Sequence, residues 1–466
     1  MASALQESQV LSFCIFKPEL GQKEGKEHLK LLYYKPEDET TNRKVRNIGL
    51  CEAIINFTKT FSPDKPCEAV HTNDRRQVFF EPESGIWMVL TVSVPSLEII
   101  NNGDRSMQRC DKHVQDVSLQ AALRKSYSMF KLFNGTFLNI EAMYGVENLK
   151  KKLEKFYSKY INAVEVSKLD IFSVLQGIQF LPLDKIMYLK VHSFVNLIET
   201  TFRNILHSVF LYGDQLVWSG LEQDDTKIFY QYLLGWLFPS QLGSDYLASL
   251  LPSTALQQSL QQSVTLPLRT GSAAMKTGSF LGLGEGKDAK MSIVYITVDG
   301  KTSIFRLLVY TIGGATLCMF IENEKGSPGE LCRRLETFIS PRLLQLSQHL
   351  VEFSNKPRLP SLEQPYRYVY FNEMNLAVKS PLMYRQMTTL PPDMMRLLVE
   401  INLDYDWVEE GETVIRTMVD YWLVARKSGH RRFMVLLNQR SSNFSEINEE
   451  IKRLCQREFI NIFFLD

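Results

Sequence analysis

The stretch ILHSVFLY, Ile205–Tyr212, runs into Gly213-Asp214 and returns as QLVWS, Gln215–Ser219. Apolar side chains alternate along the first run, and Gly-Asp suits a two-residue hairpin turn, so two antiparallel strands are predicted. A helix follows, opening on Ser219-Gly220-Leu221-Glu222. In that spacing Ser219 can accept from the third helical N–H while Glu222 reaches back, which is a capping box. Trp236-Leu237-Phe238-Pro239 ends the helix. Three strands come next, at 291–298, 302–311 and 315–322, with turns at Asp299-Gly300 and Gly313-Gly314. A long helix over 329–353 closes the segment. The order is β-β-α-β-β-β-α.

Working outward, the same order returns on the N-terminal side. Strands at 10–17 and 29–35 precede a helix from Val45 to Phe61, stopped by Ser62-Pro63. Strands at 77–81 and 86–94 follow, the second nearly all apolar as in a central strand, then helices at 117–133 and 146–161. The polar run 101–112 reads as a loop, and 169–202 as a connector with helical character. On the C-terminal side, strands at 366–372, 421–426 and 432–438, helices near 393–403 and 446–457, and a final strand at 459–465 depart from the ideal order. Residues 239–290, rich in Gln, Ser, Leu and Gly, read as a long insertion, mobile at least in part.

The repeated order is similar to that of a longin domain, a small sandwich of sheet and helices. The expected fold is therefore α+β (an α/β sandwich): three tandem longin-like domains, each a mostly antiparallel sheet packed with helices. The divisions are 1–165, a helical connector 166–202, a second domain 203–353 carrying the insertion, a linker 354–365, and a third domain 366–466. At roughly 150 residues per domain, a chain of 466 residues fits that number.

The totals exclude several classes. With 53 basic and 52 acidic residues the net charge is +1, and no basic excess points to nucleic acid. The 7 cysteines are odd in number, irregular in spacing and without a C-x-x-C pair, which argues against a disulfide framework or zinc ribbon and for a reducing compartment. Residues 1–10 lack a basic region followed by an apolar core, so no signal peptide is expected. The longest apolar stretch, 307–321, is interrupted by Gly313-Gly314 and falls short of the roughly 20 residues of a spanning helix.

No covalent active site is visible. Gly282–Lys287 superficially resembles a phosphate loop, but Leu281 stands where the first glycine belongs and Asp288 where Ser or Thr would hold magnesium. Asp224-Asp225 fits acids in a first helical turn better than an acid–base pair. The histidines are scattered and no G-x-S-x-G elbow occurs. No metal or cofactor is expected. Lys150, Lys151, Lys152 and Lys155 make a basic helix face, ordinarily just solvated, with contact to anionic lipid as the functional alternative. The helix ending at Phe61 carries two adjacent apolar stripes, one of Leu50, Ile54, Phe57 and Phe61, the other of Ile48, Cys51 and Ile55, while Glu52, Asn56 and Lys59 mark a wet face. Together the stripes are wider than a helix packed on one side needs.

Longer strings carry a family resemblance. Leu50–Ile55 with Phe57–Pro63, the run Tyr127–Phe137, the run Gly213–Asp225 and the closing Phe459–Asp466 resemble the Ccz (calcium-caffeine-zinc sensitivity) vacuolar fusion proteins. The resemblance covers almost the whole chain except the insertion. It implies an obligate heterodimer with the Mon (monensin-sensitivity) protein, acting as guanine-nucleotide exchange factor for a Rab-seven-class GTPase. It also implies a β-propeller third subunit, and recruitment from the cytoplasm to phosphoinositide-containing late endosomal and lysosomal membranes, supporting fusion and autophagy. From the helical wheel and from how paired longin domains meet, Ile48, Cys51 and Ile55 are expected to face partner and Rab, and Leu50, Ile54 and Phe57 the domain's own sheet. The alternative reading is a trafficking scaffold that recruits partners without contributing to exchange.

Overall fold

The computed structural model describes residues 5–238 (without 64, 102, 103, 110–113, 165, 167 and 168), 278–281, 291–322, 328–354, 367–383, 390–418, 421–438 and 443–459. The insertion up to residue 277, the phosphate-loop-like run, the linker and the predicted last strand beyond Phe459 lie outside these. The chain divides into two compact units, 1–176 with 390–403, and 177–389 with 404–466.

The first unit contains β1 (Leu5–Gln6), β2 (Val10–Phe16), β3 (Leu31–Lys35), α1 (Thr41–Phe61), β4 (Ala69–His71), β5 (Arg75–Glu83), β6 (Ile86–Ser93), β7 (Ser96–Asn101), β8 (Asp104–Arg109), α2 (Asp116–Asn134), α3 (Phe137–Tyr144), α4 (Val146–Ala163) and α5 (Ile171–Leu175). Its main sheet is antiparallel in the order β3-β2-β6-β5-β4. Successive side chains of a strand point to opposite faces, and in β2 both sets are buried. Cys14 and Phe16 join the cluster under α1. Phe13 meets Tyr157 of α4 at 5.1 Å between ring centroids, and Tyr157 stacks on Phe130 of α2 at 5.8 Å. The sheet thus has α1 on one face and α2 with α4 on the other. The run 101–112, read as a loop, instead supplies β8, paired with β7 from Asn101↔Asp104 to Ser96↔Arg109. A ladder is a backbone property, and its polar sequence hid it.

One carboxylate ties the layers of this unit. Glu83 at the end of β5 accepts from the Tyr127 hydroxyl (2.7 Å) and from the N–H groups of Phe137 (2.6 Å) and Leu138 (2.8 Å) in the first turn of α3. The first turn of α3 has no acid of its own, so Glu83 supplies the negative charge that the positive end of the helix favours.

The second unit contains α6 (Lys185–Thr201), β9 (Ile205–Tyr212), β10 (Gln215–Ser219), α7 (Gln223–Tyr232), β11 (Ser279–Leu281), β12 (Ser292–Val298), β13 (Lys301–Ile312), β14 (Ala315–Ile321), α8 (Pro328–Ser354), β15 (Arg367–Asn372) and β16 (Ala377–Lys379). Next in the chain comes α9 (Pro392–Asp404), whose residues through Leu403 belong to the first unit. The second unit resumes with β17 (Glu410–Arg416), β18 (Tyr421–Ser428), β19 (Arg431–Asn438) and α10 (Phe444–Glu458).

The hairpin at Gly213-Asp214 forms as read, with Tyr212 opposite Gln215 and Gly213 at φ +63°. The capping box does not. Ser219 still pairs with Val209 in β10, and its hydroxyl accepts from the N–H of Leu221 (3.2 Å) and meets Thr226 (2.7 Å), so α7 starts only at Gln223. The tail of the insertion, β11, pairs with the outer edge of β13 beyond the reach of β12.

The third domain corrects the sequence reading most. With β16 and β17 included, its order is β-β-α-β-β-β-α like the others. Its sheet runs β16-β15-β19-β18-β17, matching β10-β9-β14-β13-β12 and β3-β2-β6-β5-β4 position for position. The molecule is three longin-like domains. Within the second unit a short segment joins two sheets by backbone hydrogen bonds. Ile178 exchanges them with the Leu376 carbonyl (2.7 Å) and Val378 N–H (2.9 Å), beside β16. Leu216 of β10 bonds to the Gln179 carbonyl (2.7 Å) and receives from Leu181 (3.0 Å). A Cβ on Gly177 would lie 2.6 Å from that of Val378, so this approach requires glycine.

Glu83→Ala strands the α3 amides and the Tyr127 hydroxyl. At roughly 2 kcal/mol for a buried donor losing a charged partner, amide hydrogen exchange at Phe137 should speed up by about thirtyfold, and at the exposed Leu138 by less. Unchanged protection at both amides would show that Glu83 does not hold α3.

Candidate functional site

Helix α1 rests on the main sheet through Ile48, Cys51 and Ile55, spaced i, i+3 and i+7 and exposed by only 2 %, 2 % and 3 %. They pack against Cys14, Phe16, Tyr34, Phe79, Trp87 and Val89. Polar contacts fix the seat. Asn47 donates to the Tyr34 hydroxyl (2.7 Å), Gln77 donates to the Cys51 sulfur (3.3 Å), and Lys30 pairs with Glu52 (2.7 Å). Lys59 lays its ammonium 5.3 Å over the Trp87 ring. Cys14 donates to Cys51; that bond and burial push the Cys14 thiol well up, and the same bond draws Cys51 down.

The opposite side is open. Leu50 (58 % exposed), Phe57 (65 %) and Phe61 (75 %) point to solvent, with half-buried Ile54 between them. Residues 50, 54, 57 and 61 form one stripe at helical spacing, and the Phe57 and Phe61 rings meet edge-on at 4.9 Å. Large apolar side chains in such a row mark an interaction surface.

This reverses the expected split except at Ile54, which packs against the sheet-side core as read. Ile48, Cys51 and Ile55, read as the partner-facing stripe, are core, and Leu50 and Phe57, read as sheet-facing, are outside. Charge misled the reading. Glu52 and Lys59 border the buried stripe, because a long side chain can cover the sheet rim with its stem while its charged head stays wet.

Of the four predicted lysines, Lys150 is paired with Glu147 (3.1 Å), whereas Lys151, Lys152 and Lys155 line one cleft with Tyr144 and Asn148. Asp225 accepts from the N–H of Thr297 (2.6 Å), a structural bond within the second domain. Among the described residues no group of three or more His, Cys, Asp or Glu side chains converges to hold a metal ion, and no helix is long and apolar enough to cross a membrane.

The first helix of the third domain shows another use of the same position. In α9, Met394, Leu398, Val399 and Ile401 are buried, and the Arg396 carbonyl accepts from Gln115 just before α2 (3.2 Å).

These features define a longin-domain protein whose first domain carries an uncovered apolar helix face. Residues 10–135 match the family described as the first longin domain of INTU, CCZ1 and HPS4. Residues 205–340 and 362–454 match Intu longin-like domains 2 and 3. Among curated relatives, the vacuolar fusion protein CCZ1 homolog of Nematostella vectensis is 41 % identical, with 100 % of both chains aligned. That of Danio rerio is 39 % identical over 100 % of this chain and 98 % of its own. That of Dictyostelium discoideum is 30 % identical over 99 % and 100 %. The chain belongs to the vacuolar fusion protein CCZ1 family.

Ile55→Ala should cost about 2–4 kcal/mol and Phe57→Ser less than about 1 kcal/mol, because one empties a core site and the other does not. Chemical denaturation of the two variants checks the assignment; equal losses would refute it.

Proposed function

We propose that the chain is one subunit of a heterodimeric guanine-nucleotide exchange factor, paired with the Mon protein and acting on a Rab-seven-class GTPase at late endosomes and lysosomes. The observation that carries this reading is the Leu50–Phe57–Phe61 stripe. It leaves the first domain with one helix face seated and one waiting, in a chain whose relatives are named vacuolar fusion proteins over their full length. The α9 contact adds support, since the corresponding helix already docks against another domain within this chain.

Exchange needs no covalent chemistry. A pair that binds the nucleotide-free GTPase better than the loaded one loosens bound GDP by linkage, and abundant GTP takes its place. Such an activity is built from surfaces, here half of a composite platform, and the chain is not itself an enzyme with a covalent active site. A third, β-propeller subunit completes the proposed assembly.

Release of fluorescent GDP from the Rab-seven GTPase, with this chain, the Mon partner, and both, tests the reading. Acceleration by the pair alone is expected. Phe57→Asp with Phe61→Asp should weaken pairing at least thirtyfold, as loss of a buried aromatic anchor does. A folded pair that leaves GDP release unchanged, on liposomes as in solution, favours the scaffold instead.

A further inference from the structure

Helices α3 and α4 meet at a single residue, Gly145, whose φ of +80° closes one and opens the other. The corner sets Tyr144 beside the first turns of α4. Between them lies an open cleft of about 280 Å³ lined by Tyr144, Asn148, Lys151, Lys152 and Lys155. The α4 members follow the spacing i, i+3, i+4, i+7, one face of the helix. On the other side Leu149, Leu153 and Tyr157 are fully buried, so the lysine face cannot roll away. Two contacts shape the wall: Asn148 donates to the Tyr144 carbonyl (2.6 Å), and the Lys152 ammonium stands 5.2 Å over the Tyr144 ring.

The charge in this cleft is uncompensated. Lys150 spends its charge on Glu147, but Lys151, Lys152 and Lys155 have no carboxylate partner among the described residues. Three ammonium groups around one concavity suit a multiply charged anion, and lysine is a point-charge binder of phosphate. The rim decides the source. Tyr144 is 58 % exposed and its neighbour Met143 75 %. A soluble anion has no use for them, whereas an aromatic with a polar tip and a flexible apolar side chain suit the interfacial layer of a bilayer.

We propose that the Tyr144–Lys155 cleft is a membrane-docking site that takes the phosphorylated headgroup of an anionic lipid, with Met143 and Tyr144 entering the interfacial layer. It rests on the function proposed above only in placing the chain at a membrane.

The test is co-sedimentation of the full chain with vesicles at ~0.15 M salt, with neither partner nor GTPase present. Vesicles of neutral lipid, of neutral lipid with phosphatidylserine, and of neutral lipid with a phosphoinositide at matched charge are compared. The phosphoinositide vesicles should bind tightest. Lys151→Glu with Lys152→Glu and Lys155→Glu should lower that binding by more than about a hundredfold, since neutralising each lysine alone costs roughly fivefold near an anionic surface. The milder Lys→Gln triple should show a smaller loss, and Met143→Ser a partial one. Lys185→Glu with Lys190→Glu and Lys301→Glu, an equal charge change elsewhere, should bind nearly as wild type. Three results overturn the proposal: no binding of wild type to anionic vesicles, equal loss in the control triple, or full binding by both cleft triples. Calorimetric binding of inorganic phosphate or a soluble inositol phosphate without vesicle binding would assign the cleft to a free anion and also overturn it. GDP release in solution should be untouched by the cleft variants, so failure of the docking site and failure of the exchange reading are separable.

Discussion

A helix laid on a sheet can bury one stripe of side chains, and in the first domain that stripe is Ile48, Cys51 and Ile55. The rest of the domain's surface follows from this seat. The sheet beneath is buried on both faces, so α1 cannot be moved aside without uncovering Phe16 and Trp87. Its remaining apolar residues lie roughly 130° further around the helix. Among them Leu50, Phe57 and Phe61 are covered by no described element of the first domain. An amphipathic helix with a second apolar stripe is costly in water and useful at an interface. The polar contacts of Asn47, Glu52 and Lys59 hold the rotation of the helix and so decide which stripe is left outside.

Much of this architecture was legible in the sequence where period and turn chemistry agreed. Strands β9, β10, β13 and β14 carry long apolar runs punctuated by Gly-Asp or Gly-Gly, and Gly213, Gly313 and Gly314 sit at positive φ as those turns demand. What stayed hidden was held by neighbours rather than by local pattern. β17 reads EGETVIR, too polar for a strand in isolation, and forms because β18 offers it an edge from Glu410↔Ser428 to Arg416↔Trp422. β11 and β16 are three residues each and exist only as additions to β13 and β15. At the interaction surface the sequence showed that α1 is apolar on too many sides. It could not show which side meets the sheet, because the wheel is silent about the rim, where Glu52 and Lys59 combine charge with burial of their stems.

The second unit shows how edge strands are managed. A free edge is a template for unwanted pairing. β10 and β16 are the outermost strands at one end of their respective sheets, and residues 178–181 hydrogen-bond to both. The connector is therefore part of the sheet system, though its sequence, Ile178-Gln179-Phe180-Leu181, is too short to announce a strand. Gly177 is what allows it in so closely. Two longin-like domains are thus joined through backbone hydrogen bonds to one short segment.

The exposed stripe also limits how a partner can be held. Fully burying a Leu or Phe side chain contributes about 1.5–3 kcal/mol, and these three are already partly covered, so the stripe offers roughly 3–6 kcal/mol. Association itself costs an estimated 4–15 kcal/mol before any gain appears. Leu50, Phe57 and Phe61 can therefore orient a partner but cannot alone hold it. A stable heterodimer must extend the contact beyond α1 to the order of 800 Å² on each side.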